Sequence, residues 1–188
     1  MGRLEYRIFG KDLGDKRRSL QREAARSGQD RREDVYFLGP SIDRIFKLRD
    51  GEELDFKRLV GREDRFERWD PVGLIELPAS GAAFPEAFVG ASGMPDLDAT
   101  RLYGPVEIRK AFERGGAREA RVCKTRQRYD VGHCMAEMTE LRTSDGAVTL
   151  SLAIEGDDLA ALSQLRDRLG IVECQNMSYP RWLTDMAT

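Results

Sequence analysis

Apolar and charged positions alternate along much of this chain. Ile45-Phe46-Lys47-Leu48-Arg49 sets Lys47 and Arg49 two apart, and Val122-Cys123-Lys124-Thr125-Arg126-Gln127-Arg128 does the same with Lys124, Arg126 and Arg128. Successive side chains of a strand point to opposite faces, so the cations of each segment share a face, opposite Phe46 and Leu48 in the first. The pattern predicts a strand over Leu4–Phe9 and a solvated helix, dense in Arg and Glu, over Leu13–Ser27, ended near Gly28. A short strand over Asp34–Leu38 stops at Gly39-Pro40. The segments Arg44–Arg49 and Glu53–Leu59 flank Asp50-Gly51-Glu52, and Asp-Gly between alternating segments predicts a hairpin. Residues 61–70 are charge-rich, with a strand expected around Asp64–Trp69.

From Pro71 to Pro105 the chain is rich in Gly, Ala and Pro and reads as an insertion or mobile lid within one domain spanning 1–188. Beyond it, Val106–Arg114 fits a short helix, since Pro105 suits a helix start and Gly115-Gly116 its end. Ala120–Tyr129 and His133–Arg142 read as a hairpin, and Ser144-Asp145-Gly146 turns into a strand over Val148–Glu155. Asp157-Asp158 caps a final helix in which Leu159, Leu162, Leu165 and Leu169 form an apolar stripe that must pack against the sheet, followed by an irregular tail. Neither a P-loop nor a Gly-x-Gly-x-x-Gly fingerprint occurs, so phosphate binding would rest on side chains.

Charge changes the picture by position, not by total. The 31 Lys and Arg stand against 33 Asp and Glu, and a net charge of -2 gives no global attraction for nucleic acid. No apolar run approaches the roughly 20 residues of a membrane span, and the polar start lacks the apolar stretch of a signal peptide. The expectation is a cytoplasmic protein with no nucleic-acid or membrane partner. Cys123, Cys134 and Cys174 lack metal-ligand spacing, and one histidine, His133, argues against a multi-histidine metal centre or a Ser-His-Asp triad. A cationic sheet face needs an anion. If the strands curl into a barrel, its charges converge where only a highly anionic ligand or matching carboxylates would offset repulsion and desolvation, which points to polyphosphate chemistry.

Several features recur in a fixed order: Lys47-x-Arg49 on an early strand, Lys57 alone on the next, and Lys124-x-Arg126 on a later one. Ile154-Glu155-Gly156 then precedes a helix ending in Leu169-Gly170-Ile171, and the tail carries Ser178-Tyr179-Pro180-Arg181-Trp182-Leu183. In this order and spacing the chain resembles the CYTH superfamily, the triphosphate tunnel fold of class IV adenylate cyclases, thiamine triphosphatases and inorganic triphosphatases. The likeness covers most of the chain outside 71–105. It implies an α+β fold: a closed or nearly closed, mostly antiparallel β-barrel with helices outside and the basic residues inside.

The chain departs from the family at three acidic motifs. Glu-x-Glu-x-Lys on the first strand becomes Arg3-x-Glu5-x-Arg7, a middle acidic pair becomes Glu67-x-Trp69, and the late Glu-x-Glu becomes Ala153-x-Glu155. The resemblance implies that Arg7, Lys47, Arg49, Lys57, Lys124 and Arg126 hold phosphate oxygens, Lys57 and Arg126 also acting in catalysis. It implies too that Glu5, Glu67 and Glu155 hold Mg2+ or Mn2+, which need oxygen ligands in near-octahedral array. Three half-pairs make a poorer site than three pairs, and Arg3 opposes a cation by Coulomb repulsion. The carboxylates have a structural alternative, which is to neutralise basic residues across the barrel. Two functions follow: a divalent-metal-dependent phosphohydrolase acting on inorganic, nucleoside or thiamine triphosphate, or a polyphosphate- or nucleotide-binding protein that has lost metal chemistry. ATP cyclisation is a weaker third, since no adenine-recognising residues stand out.

Overall fold

The computed structural model describes residues 2–84 and 97–186. Among them the elements run β1 (Arg3–Gly10), α1 (Gly14–Glu23), β2 (Arg26–Leu38), β3 (Arg44–Arg49), β4 (Glu53–Glu63), β5 (Phe66–Glu76) and β6 (Ala79–Ser80). After a single 3-10 turn come β7 (Leu102–Tyr103), α2 (Pro105–Arg114), β8 (Arg118–Val131), β9 (Cys134–Thr143), β10 (Val148–Gly156), α3 (Leu159–Arg168) and α4 (Tyr179–Asp185). Eight strands close a barrel in the order β1-β10-β9-β8-β2-β3-β4-β5, and β6 pairs with β7 separately. No helix among the described residues is long and apolar enough to cross a membrane.

Several boundaries differ from the sequence pattern. The first helix ends at Glu23, and β2 begins at Arg26, so Gly28 lies in a strand. The run Arg26–Glu33 has no apolar residue to show a period, and its backbone pairing overrides its composition. The expected strand around Asp64–Trp69 shifts to Phe66–Glu76, because Asp64 and Arg65 both take positive φ and make the turn before it. The tail is irregular only over 171–178; it then forms α4, which buries Tyr179, Trp182 and Leu183. The reading of 71–105 as an insertion or lid falls partly on 85–96, outside the described residues; the described part extends β5 and adds β6, β7 and the 3-10 turn.

The chain divides into two compact units, residues 1–32, 59–70 and 123–178 in the first and 33–58, 71–122 and 179–188 in the second. In the first, alternate residues Leu4, Tyr6 and Ile8 of β1, Ala136 and Met138 of β9, and Leu152 and Ile154 of β10 join Leu20 of α1 and Leu162 and Leu165 of α3 in one core. The leucine stripe is therefore the inner side of α3. Asp158 starts that helix by accepting from the Ala160 and Ala161 N–H groups at 2.9 and 3.1 Å. In the second unit Val35, Phe37, Phe46, Leu48, Leu54 and Phe56 pack against Ile108 and Phe112 of α2. Phe46 stacks on Phe56 at 4.3 Å and Phe37 on Phe112 at 4.1 Å. Both Asp50 and Gly51 adopt positive φ in the β3–β4 turn, where Arg49 faces Glu53. In each unit this packing commits the odd-numbered or even-numbered partners of the core residues to the opposite face of the strands.

Candidate functional site

In the first unit the face turned away from the helices carries Glu5 and Arg7 of β1. Glu5 lies level with two other carboxylates, its Cα partners being Glu67 on β5 and Glu155 on β10. One step along the strands Arg3 faces Trp69, and one step the other way Arg7 faces Ala153, which in turn faces Glu137 on β9. The three expected metal ligands thus occupy one registered row. The residues that stand where the resemblance expects carboxylates, Arg3, Trp69 and Ala153, occupy the rows on either side.

The row through Ala153 is a buried ionic cluster. The Ala153 methyl group spans little of the gap between Arg7 and Glu137, and Arg7 Nη1 comes within 3.6 Å of Glu137 Oε1. Arg126 Nη1 approaches Glu137 Oε2, also at 3.6 Å, and the Thr139 hydroxyl donates to Glu137 Oε1 at 2.9 Å. Burial by itself would raise the Glu137 carboxyl pKa; the charges of Arg7, Arg126 and Lys124 outweigh it and hold Glu137 below the usual carboxylate range. Arg7 also donates to Glu5 Oε1 at 2.8 Å and to the Ser151 hydroxyl at 3.0 Å. On the far side Arg126 forks onto both oxygens of Asp30, at 2.7 and 2.8 Å, and Arg128 donates to the same carboxylate at 2.7 Å.

Thus Arg7, Lys124 and Arg126 meet around Glu137, and Glu5 is tied to the same cluster through Arg7. Glu137 and Asp30 belong to the site and were not among the residues the sequence singled out. For Glu137 the signal was present: Cys134, Ala136 and Met138 are apolar at period two, which sends Met135, Glu137 and Thr139 to the other face.

The second unit holds the remaining predicted residues. Lys47 faces Asp55 and Tyr36 in register, and Arg49 faces Asp34. Lys47 Nζ is 3.1 Å from Asp55 Oδ2, Arg49 donates to the same oxygen at 2.5 Å, and Lys47 lies over the Tyr36 ring at 5.9 Å. Lys47, Asp34 and Asp55 are all buried. Burial lowers the Lys47 pKa against the opposing pull of Asp34 and Asp55, with Lys57 and Arg49 adding to the lowering. Lys57 is partly exposed on the same face, two residues from Asp55, and Tyr179 of α4 stacks on Tyr36 at 5.3 Å. The cations of this unit, like those of the first, have carboxylates of the chain beside them.

Hard divalent cations need several oxygens free to converge. Glu5, Glu67 and Glu155 match in backbone register, but at least one oxygen of each already faces an N–H donor or a cation. Arg7 holds Glu5, Arg62 Nε lies 3.5 Å from Glu67 Oε1, the Trp69 indole donates to Glu67 Oε2 at 3.2 Å, and Arg3 lies 3.8 Å from Glu155 Oε1. Among the described residues no group of three or more His, Cys, Asp or Glu side chains is arranged to hold a metal ion. As they stand, these residues do not fit Mg2+ or Mn2+.

No family model matches the chain, and no curated protein matches it. Solved structures do. A conserved hypothetical protein from Pyrococcus furiosus is similar at a TM-score of 0.57 and 18% identity, over 95% of this chain and 98% of its own. A Pyrococcus horikoshii protein gives a TM-score of 0.52 at 19% identity, over 88% of this chain and 90% of its own. A candidate adenylate cyclase from Bacillus halodurans gives 0.54 at 10% identity, with both chains covered over 100%. At such identities the likeness is one of fold.

Proposed function

We propose that the chain is a triphosphate-tunnel protein of the CYTH type that binds a triphosphate- or polyphosphate-containing small molecule. The observation that carries this reading is the gathering of Arg7, Lys124 and Arg126 from two strands around one largely buried carboxylate, that of Glu137. Guanidinium forks aimed along one sheet face are suited to phosphate oxygens, which accept paired N–H donors in the same plane. Lys47, Arg49 and Lys57 are assigned as phosphate ligands on the family resemblance.

Binding is favoured over metal-dependent hydrolysis because the carboxylates that would hold the metal are engaged by cations of the chain. A phosphohydrolase would instead use Lys57 and Arg126 on the transferring group, with Glu5, Glu67 and Glu155 on Mg2+ or Mn2+; the registered row of those three carboxylates is what favours this second reading. Calorimetric titration with inorganic triphosphate, ATP, thiamine triphosphate and long-chain polyphosphate, alongside a phosphate-release assay, separates the two. Saturable binding without release supports the binding reading. Release that depends on Mg2+ or Mn2+ supports the hydrolase, and no binding of any of the four overturns both.

A further inference from the structure

Two of the three positions where this chain departs from the family pattern share one chemical change. Arg3 and Trp69 face each other in register, and each presents an N–H donor where the resemblance expects a carboxylate acceptor. Both donors are turned on the acidic row beside them. Trp69, itself buried, donates to Glu67 Oε2, and Arg3 approaches Glu155 Oε1. The other oxygen of Glu67 faces Arg62, and Glu5 faces Arg7. Every carboxylate of the row therefore has positive charge from the chain within 4 Å.

We propose that Arg3, Arg7, Arg62 and Trp69 take the place of a divalent cation on the row Glu67-Glu5-Glu155, so that the chain binds its phosphate ligand without metal. This rests on the phosphate-binding reading for the ligand, but not for the absence of a metal requirement. Two effects act together. Each carboxylate oxygen spent on an N–H donor is lost as a metal ligand, and a second cation brought to the row meets guanidiniums already there. The row is open to solvent at its Glu155 end, where a cavity of about 380 Å3 is lined by Arg3, Met135 and Glu155 together with Asp130, His133 and Asp157.

The test begins with the wild-type protein alone. Mn2+ is titrated in and free Mn2+ followed by electron paramagnetic resonance; no site tighter than about 1 mM is expected. Inorganic triphosphate is then titrated by calorimetry in excess EDTA and in Mg2+, and affinity in EDTA is expected to equal or exceed that in Mg2+, because Mg2+ neutralises the ligand. Arg3→Glu, at an exposed position, is expected to tighten Mn2+ binding by ~10-fold or more. A sub-millimolar Mn2+ site in the wild type, or triphosphate binding that EDTA abolishes and Mg2+ restores, overturns the proposal. Unchanged Mn2+ affinity in folded Arg3→Glu overturns the role given to Arg3. If triphosphate fails to bind in either buffer while the wild type also ignores Mn2+, the functional reading falls and the statement about metal stands.

Discussion

Arg126 grips Asp30 with two parallel hydrogen bonds, from Nε and Nη2, and so spends on a carboxylate of its own chain the fork that the proposed function assigns to phosphate. Arg128 adds a third donor to the same carboxylate. Burial raises the Asp30 pKa, but the hydrogen bond and charge of Arg126 and the charges of Arg128 and Arg32 outweigh this and lower it overall. Asp30 is thus an ionised occupant that an incoming anion must displace or share.

Replacing Asp30→Asn keeps the shape and removes that competition. Triphosphate affinity is expected to rise by about 1 kcal/mol, the net scale of one hydrogen bond exchanged. Calorimetry on the two proteins at equal ionic strength measures it. Weaker binding in the variant would mean that Asp30 orients Arg126 and does not compete with the ligand.

Lys124→Ala and Arg126→Ala are each expected to weaken triphosphate binding by about 1 to 3 kcal/mol, the range for charge-assisted contacts away from bulk water. Lys124 is almost wholly buried, so its substitution also removes packing. Thermal melts without ligand separate that loss from the loss of binding. Tight binding unaffected by either change would remove the site from this face of the first unit.

What the sequence makes legible here is the direction of side chains, and what it hides is their partners. The alternation around Lys47 and Arg49 correctly puts both opposite Phe46 and Leu48, because those aromatic and aliphatic neighbours must reach the core under α2. Asp55 sits between Leu54 and Phe56 and is sent to the cation-bearing face by the same rule, but only the register Lys47 opposite Asp55 shows that it is their counter-ion. Asp30 is hidden more deeply. It lies in a stretch of β2 without apolar residues, so neither strand nor face can be read there, and its link to Arg126 joins positions 96 apart in the chain. The roles of Arg3 and Trp69 are of the same kind: the sequence marks them as departures, and the pairing of β1 with β5 makes them neighbours.

Glu137→Gln removes the one carboxylate around which Arg7, Lys124 and Arg126 gather. Loss of one partner from a buried ionic group costs about 3 to 5 kcal/mol, since the remaining charges stay desolvated. The folded-state pKa of Glu137 lies below its unfolded value, so its stabilisation is fully present above the ordinary carboxylate range and is lost as pH falls through the folded value. Urea unfolding should therefore show a large gap between wild type and variant at neutral pH that narrows in acid. Added triphosphate should restore part of the variant's stability if the ligand supplies the missing negative charge. A gap that is constant with pH would show that Glu137 contributes through shape alone.

Lys47 carries the opposite sign of linkage. Its folded-state pKa is lowered, chiefly by burial, so between that value and its unfolded value of 10.5 the unfolded chain holds more protons than the folded one. Stability from this group accordingly rises with pH across that window. Lys47→Met should lose this rise, and at neutral pH it should cost on the order of 3 kcal/mol because Asp34 and Asp55 keep their charge without it. Asp55 retains Arg49 at 2.5 Å, so the larger share of the cost falls on Asp34, which is fully buried. The double change Lys47→Met with Asp34→Asn should then recover part of the loss, whereas Lys47→Met with Arg49→Met should deepen it. Urea unfolding of the wild type, the three single variants and the two double variants between neutral pH and pH 10 closes both cycles. If the Asp34 pair proves additive, the two residues are not coupled, and the burial of Lys47 is sustained by Asp55 alone.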